Sequence, residues 1–382
     1  MLDVGLCACE NYTYEKCRAA IESAVDAVGG FGFVFPGCKV VIKANLVSAL
    51  KPEKAAVTHP MLLCALSDIL REKGASVTIG DSPGGVYSSP FVTRVYNVTR
   101  VIEAENHGAK LNRDFGTSQA DYPKAVAAKR FYYTSYLDNA DFIIDFCKLK
   151  THGMMGMSAA VKNMFGVVPG TVKPEYHYKY PDPVVFTHML IDLNEYFHPV
   201  LSLCDAVECM EGNGPTAGVP RFMGVVAAST SQYKLDVVCA RLIGIDPLSV
   251  KTVSISKERG LLPEDLSKIT VSGDIDQYII KDFDTDSVLH NKLFVSENMN
   301  FGGGIIGKTI KKLISSKPSP LKRECIGCGE CARICPAKAI RMVRKKPSID
   351  RKKCIKCFCC QEFCPVGAMK VKRTPVARIL QK

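Results

Sequence analysis

Tryptophan is missing from the 382 residues, and no apolar run approaches the roughly 18 residues that a membrane-spanning helix requires. The opening stretch from Met1 to Glu10 has no basic start and no long apolar centre, so it does not read as a secretory leader. These absences give the expectation of a cytoplasmic protein with no membrane span. The Cys-x3-Cys-x2-Cys spacing of radical S-adenosylmethionine enzymes is also missing. A nucleotide-driven electron pump, with its phosphate-binding loop, is likewise not expected. Acidic residues are scarce at one end only. Residues 308–382 carry 21 Lys and Arg against 4 Asp and Glu, a net of +17, while the first 307 residues net −5. The overall charge of +12 therefore hides an acidic body and a basic tail.

What the tail does have is cysteine. Half of the 18 cysteines lie between residues 325 and 364, in two runs of one spacing. The first is Cys325-x2-Cys328-x2-Cys331-x3-Cys335-Pro336, and the second is Cys354-x2-Cys357-x2-Cys360-x3-Cys364-Pro365. A cubane iron–sulfur cluster needs four thiolates at the corners of a tetrahedron, and this spacing turns three successive sulfurs inward. The fourth cysteine of each run is expected to serve the other cluster. One 4Fe–4S set is then Cys325, Cys328, Cys331 and Cys364, and the other is Cys354, Cys357, Cys360 and Cys335. Zinc sites favour paired Cys-x2-Cys units or added histidines, and neither run holds a histidine. Disulfides need an oxidising compartment and no repeated spacing. Cys359 is surplus to the pattern and reads as a small buried apolar residue.

The first 300 residues alternate between two periods. Tyr14–Val28, Met61–Leu70, Pro183–Tyr196 and Leu235–Leu242 read as helices, and a longer helix is expected between Phe91 and Asn106. Lys39–Lys43, Ser76–Gly80, Asp141–Phe146, Val200–Leu203, Phe222–Ala227 and Ile269–Val271 read as strands. Such alternation predicts an α/β domain with a largely parallel sheet and flanking helices. The division is then an α/β domain over 1–300, a linker over 301–320, and a small α+β cluster domain over 321–382. Residues 321–373 resemble a bacterial-type dicluster ferredoxin.

Polar residues gather where the expected strands end, the place where open α/β sheets bind ligands. Lys43 and Asn45, then Asp81-Ser-Pro-Gly-Gly85, follow the first two strands. Lys148, Lys150, Thr151 and His152 follow Phe146, and Lys162 and Asn163 come soon after. Asp205 follows Leu203, and Glu211 opens a glycine-rich turn. Lysines there suit an anionic group; Asp205 and Glu211 suit a metal or a proton exchange. The motifs Lys148-Leu-Lys-Thr-His152, Val161-Lys-Asn-Met-Phe-Gly166, Asp205–Pro215 and Gly244-Ile-Asp-Pro247 resemble those of the domain of unknown function 362 family, over roughly residues 37–250. That resemblance implies treating Lys150, His152, Lys162, Asn163, Asp205 and Glu211 as one candidate catalytic pocket. The other histidines, His177 among them, are given no role.

The leading expectation is an iron–sulfur electron-transfer protein carrying two 4Fe–4S clusters. It exchanges electrons with an acidic redox partner, or with a small anionic substrate held in the α/β domain. A second reading is an oxidoreductase whose α/β domain reduces that substrate. A third is nucleic-acid binding, against which the basic residues are scattered among the cysteines and not interleaved with aromatics.

Overall fold

The computed structural model describes residues 1–285 and 317–372. Its centre is a sheet of eight strands. These are β1 (Gly5–Ala8), β2 (Lys39–Ala44), β3 (Ser76–Gly80), β4 (Lys110–Leu111), β7 (Phe142–His152), β8 (Gly156–Ser158), β9 (Leu201–Glu211) and β10 (Val219–Ser229). A separate hairpin is made by β5 (Thr117–Asp121) and β6 (Arg130–Thr134). The spatial order is β1-β10-β9-β7-β2-β3-β4, with β8 against β7. From β4 to β9 every pairing is parallel, while β10 and β1 close one edge antiparallel. The expected α/β class therefore holds, with an antiparallel edge added.

Two apolar layers enclose the sheet, because its central strands are buried on both faces. Helices α1 (Tyr14–Ala27), α2 (Pro60–Glu72) and α3 (Ser89–Val98) cover one face. The other face is covered by α4 (Ala160–Asn163), α6 (Pro183–Phe197), α7 (Gln232–Leu242) and α8 (Lys251–Glu258), with α5 (Lys173–Lys179) leading into α6. α1 buries Cys17, Ala20, Ile21, Ala24 and Val25, the stripe its spacing predicts. Pro60 sits in the first turn of α2 and Asp182 caps α6 through the amides of Val184 and Val185.

Three expectations for the elements of the α/β domain change. The helix expected across 91–106 is two pieces, α3 and the 3-10 turn Val101–Glu105. The break comes at Arg100, which takes a left-handed φ of 61°. Ile269–Val271 forms only an isolated bridge, Val271 to Val4, and no strand. The strands expected to stop at Phe146 and Leu203 run on as β7 and β9, so the polar residues thought to follow them lie on strands.

The cluster module is built from β11 (Lys317–Pro320) paired with β14 (Met369–Lys372), and β12 (Ile340–Val343) paired with β13 (Lys346–Ile349). Short helices Glu330–Arg333 and Cys359–Glu362 follow the cysteine loops. Of the linker expected over 301–320, residues up to 316 lie outside the described residues, and Lys317–Pro320 is strand. Against the expectation of no phosphate-binding loop, Gly302-x4-Gly307-Lys308-Thr309 has that spacing. It also lies outside the described residues.

Candidate functional site

The eight cysteines expected as ligands fall into two groups around two small voids. Cys325, Cys328, Cys331 and Cys364 line one. Cys335, Cys354, Cys357 and Cys360 line the other, together with Cys359. The fourth cysteine of each run thus faces the opposite group, which fits the crossed set that a pair of cubanes needs. The two halves are alike in detail. The amide of Ala339 donates to Cys335 Sγ and the amide of Ala368 to Cys364 Sγ, both at 3.2 Å. Such donors stabilise thiolate charge and raise a cluster's potential. Cys359 is buried, as expected for the surplus thiol.

A cavity of about 60 Å³ opens where the sheet's carboxyl ends meet the cluster module. Lys43, Asn45, Asp81, Ser82, Lys150, His152, Lys162, Asn163, Phe165 and Lys173 line it from the α/β domain. Glu362 and Phe363, between Cys360 and Cys364, line it from the module. Lys150 and His152 reach it from alternate positions of β7, which point to one side of the sheet. Lys162 and Asn163 arrive on α4, which β8 delivers across the strand ends.

The polar groups form a connected network. Lys150 Nζ donates to Asn45 Oδ1 at 2.6 Å and to the Ala56 carbonyl at 2.5 Å. Asn45 Nδ2 donates to Asn163 Oδ1 at 2.7 Å, and Asn163 Nδ2 to Asp145 Oδ1 at 2.6 Å. Lys43 Nζ pairs with Asp81 Oδ1 at 2.9 Å. Gly166 packs directly on that pair, where a Cβ would fall 2.2 Å from Asp81 Oδ1 and 2.3 Å from Lys43 Nζ. Lys173 Nζ donates to the Ser82 carbonyl. Lys162 Nζ lies 4.7 Å from the Phe165 ring centre and 5.9 Å from that of Phe186. His152 Nδ1 accepts from the amides of Met154 and Met155, both at 3.2 Å. Its proton is thereby placed on Nε2, which lies 2.9 Å from Glu362 Oε1, a close ion-pair contact without hydrogen-bond alignment.

Burial sets the charge states. It brings the Lys150 ammonium down to about 7, with the Lys162 charge adding to the effect. Lys173 also falls to about 7 by burial, with Asp81 pulling the other way. Burial lowers Lys162 and His152 as well. Glu362 goes the opposite way: burial raises its carboxyl, but His152, Lys162 and His177 outweigh this and hold it well below the usual range.

Of the six residues expected in one pocket, Lys150, His152, Lys162 and Asn163 come together. Asp205 and Glu211 do not line it. Asp205 is fully buried in a separate network, where it accepts from Lys148 Nζ and Tyr12 Oη at 2.8 Å each and from the His59 amide at 2.9 Å. The pairing of β7 with β9 shifts register between Lys148 and Lys150, which separates these neighbours into different networks. Glu211 accepts from the Asp284 amide at 3.0 Å at the end of β9. Lys173, Glu362 and Phe363 were not expected in the pocket. Lys173 stands in a short helix without a motif, and the other two read as spacers between cluster ligands. His177, given no role, is 1% exposed and stacks on Phe186 at 4.5 Å behind Lys162.

Hydrogen bonds and a ring contact join the module to the α/β domain. Gln361 Nε2 donates to the carbonyls of Asn213 and Gly214 and to Asn213 Oδ1, each at 3.0 Å. The Val371 amide donates to Asn213 Oδ1 at 3.2 Å. Phe363 lies on Gly84, whose missing side chain makes room for the ring.

The model described as Domain of unknown function (DUF362) matches residues 40–241, and that of a 4Fe-4S dicluster domain matches residues 318–365. A thylakoid-associated protein of Synechocystis sp. is 29% identical over 267 residues, covering 68% of this chain and 80% of that protein. Among solved structures, the lactate racemase apoprotein from Thermoanaerobacterium thermosaccharolyticum aligns with a TM-score of 0.39 at 10% identity, over 63% of this chain and 57% of that one. A Thermotoga maritima protein aligns with a TM-score of 0.32 at 13% identity, over 55% and 53%. The chain thus spans little more than half of each of those two structures.

Proposed function

The chain belongs to the family described as Domain of unknown function (DUF362), with a 4Fe–4S dicluster domain beside it, and we propose that the two parts act as one electron-transfer unit around the lysine pocket. The dicluster domain binds 4Fe–4S clusters and carries an iron–sulfur electron-transfer role. When bound, two such clusters supply one-electron oxidation and reduction in succession. The two thiol groups are suited to one cluster each, as Cys325, Cys328, Cys331 and Cys364 and as Cys354, Cys357, Cys360 and Cys335.

The pocket takes a small anion that exchanges electrons with the module. One observation carries this reading: the segment between Cys360 and Cys364 forms a wall of the cavity that holds four lysines. Lys43, Lys150, Lys162 and Lys173 face only Asp81 and Glu362 among the lining carboxylates. Buried cations in such excess need a bound counter-ion or a lost proton. Lys43, Lys150 and Lys173 hold the field in place, His152 stands against the module's wall, and Phe165 and Phe363 give the cavity apolar surface.

On the module, Cys328 and Ile326 are exposed near the exposed Lys322, Arg323 and Lys345. Exposed thiol and apolar surface inside a basic rim supports docking of an acidic redox partner there.

Anaerobic purification with iron and sulfide counts and mass spectrometry of the released small molecules tests the reading. About eight iron atoms per chain are expected, together with a small co-purifying anion that Lys162→Ala loses while keeping its iron. A variant that loses iron and anion together contradicts the separation of roles.

A further inference from the structure

We propose that the pocket is a site for a small oxyanion seated on Lys162, and that the chain's own Glu362 competes in the same field, so that oxyanion binding and docking of the cluster module oppose each other. This rests on the electron-transfer reading and adds a ligand class and a coupling to it.

The lysines are not equivalent. Lys43 is held by Asp81, the Ala44 carbonyl and Asn163, Lys150 by Asn45 and the Ala56 carbonyl, and Lys173 by the Ser82 carbonyl. Among the described residues, Lys162 Nζ has no acceptor and no carboxylate at ion-pair distance, although the residue is only 8% exposed. The rings of Phe165 and Phe186 lie 4.7 and 5.9 Å from it. Lys162 lines the cavity with its ammonium free of any acceptor among the described residues, and an oxyanion seated there supplies the oxygens.

Size narrows the class. At about 10–15 Å³ per water centre, the 60 Å³ cavity holds about five waters, the bulk of about five to eight heavy atoms. An oxyanion group the size of phosphate or a short carboxylate fits inside it; those two ions probe the seat, and the ligand that exchanges electrons is a redox-active oxyanion of that size.

Glu362 brings a carboxylate into this field from the module. Its Oε1 is 2.9 Å from His152 Nε2, and its side chain is 13% exposed. An arriving oxyanion meets that like charge inside one cavity. Relief comes by loosening the module, which among the described residues is also held by hydrogen bonds to Asn213 and Gly214. Linkage is reciprocal, so whatever weakens Glu362 docking must favour the oxyanion.

Calorimetric titration of the anaerobic holo-protein with acetate, and separately with inorganic phosphate, tests this, with amide exchange at Val371 as the docking readout. Wild type should bind at least one of the two at a single site and exchange faster at Val371 when saturated. Lys162→Met should weaken binding at least tenfold with iron unchanged, and Lys162→Arg should restore most of it. Glu362→Gln should tighten binding roughly ten- to a hundredfold, the effect of removing one like charge in a partly buried site. Unchanged or weaker binding in Glu362→Gln, or no effect of anion on Val371, overturns the coupling but leaves an anion-binding pocket standing. No saturable binding of either anion to wild type overturns the coupling and the pocket reading together.

Discussion

Glu362 Oε1 lies 2.9 Å from His152 Nε2, and that contact joins the wall between two cluster ligands to the end of a central strand. His152 closes β7, and Glu362 ends the short helix that starts at Cys359. A charge or a proton moved in the pocket is therefore felt a few residues from both cysteine groups. The predictions below separate what belongs to the clusters, to the pocket and to the fold.

The cluster assignment predicts unequal cysteines. Cys328→Ala should cost one cluster, about half the iron, because Cys328 lines the first void. Cys359→Ser should keep both, since the spacing leaves it surplus. Iron and sulfide counts with low-temperature electron paramagnetic resonance of each reduced variant check this; full iron in Cys328→Ala contradicts it.

Asp205 is predicted to serve stability and not ligand binding. Asp205→Asn leaves the Lys148 ammonium, 1% exposed, without its carboxylate. Removing one partner of such a pair costs about 3–5 kcal/mol. Denaturant unfolding of the holo-protein should show that loss, while anion binding by the folded variant stays close to wild type.

Anion binding should fall as pH rises through about 7. Lys150 and Lys173, brought down to about 7 by burial, carry their protons below that value and lose them above it. Both face Lys43, Lys162, Asp81 and Glu362 across the cavity, and His152 stands beside them. The same shift makes the unfolded chain hold more protons than the folded one between about pH 7 and 10.5, so these two lysines make stability rise with pH over that window. Affinity measured from pH 6 to 9 checks the first part; affinity that is flat or rising there contradicts it.

The grouping of the cysteines was legible because the two runs share one spacing, which turns three sulfurs of each inward. The sheet was legible where apolar runs are short and bounded, as at Lys39–Ala44 and Ser76–Gly80. The pocket was half legible. Lys150, His152, Lys162 and Asn163 stand in local motifs, but their strand was cut short because charged residues rarely continue a buried strand. Asp205 was assigned to the pocket because the register shift beside Lys148 leaves no mark in sequence. Glu362 and Phe363 were hidden between ligands, since contacts between the two parts of a chain have no period. The long helix expected at 91–106 failed at Arg100, whose left-handed backbone its side chain does not announce.

The most direct test of the central claim, that pocket and clusters form one electron-transfer unit, is a redox titration of the holo-protein followed by paramagnetic resonance. It is run with and without a saturating small oxyanion, in wild type and in Lys162→Met. A negative charge bound beside the clusters favours their oxidised state, so the potentials should fall when wild type is loaded and stay put in Lys162→Met. Potentials that are identical in wild type with the anion bound and absent would contradict the account.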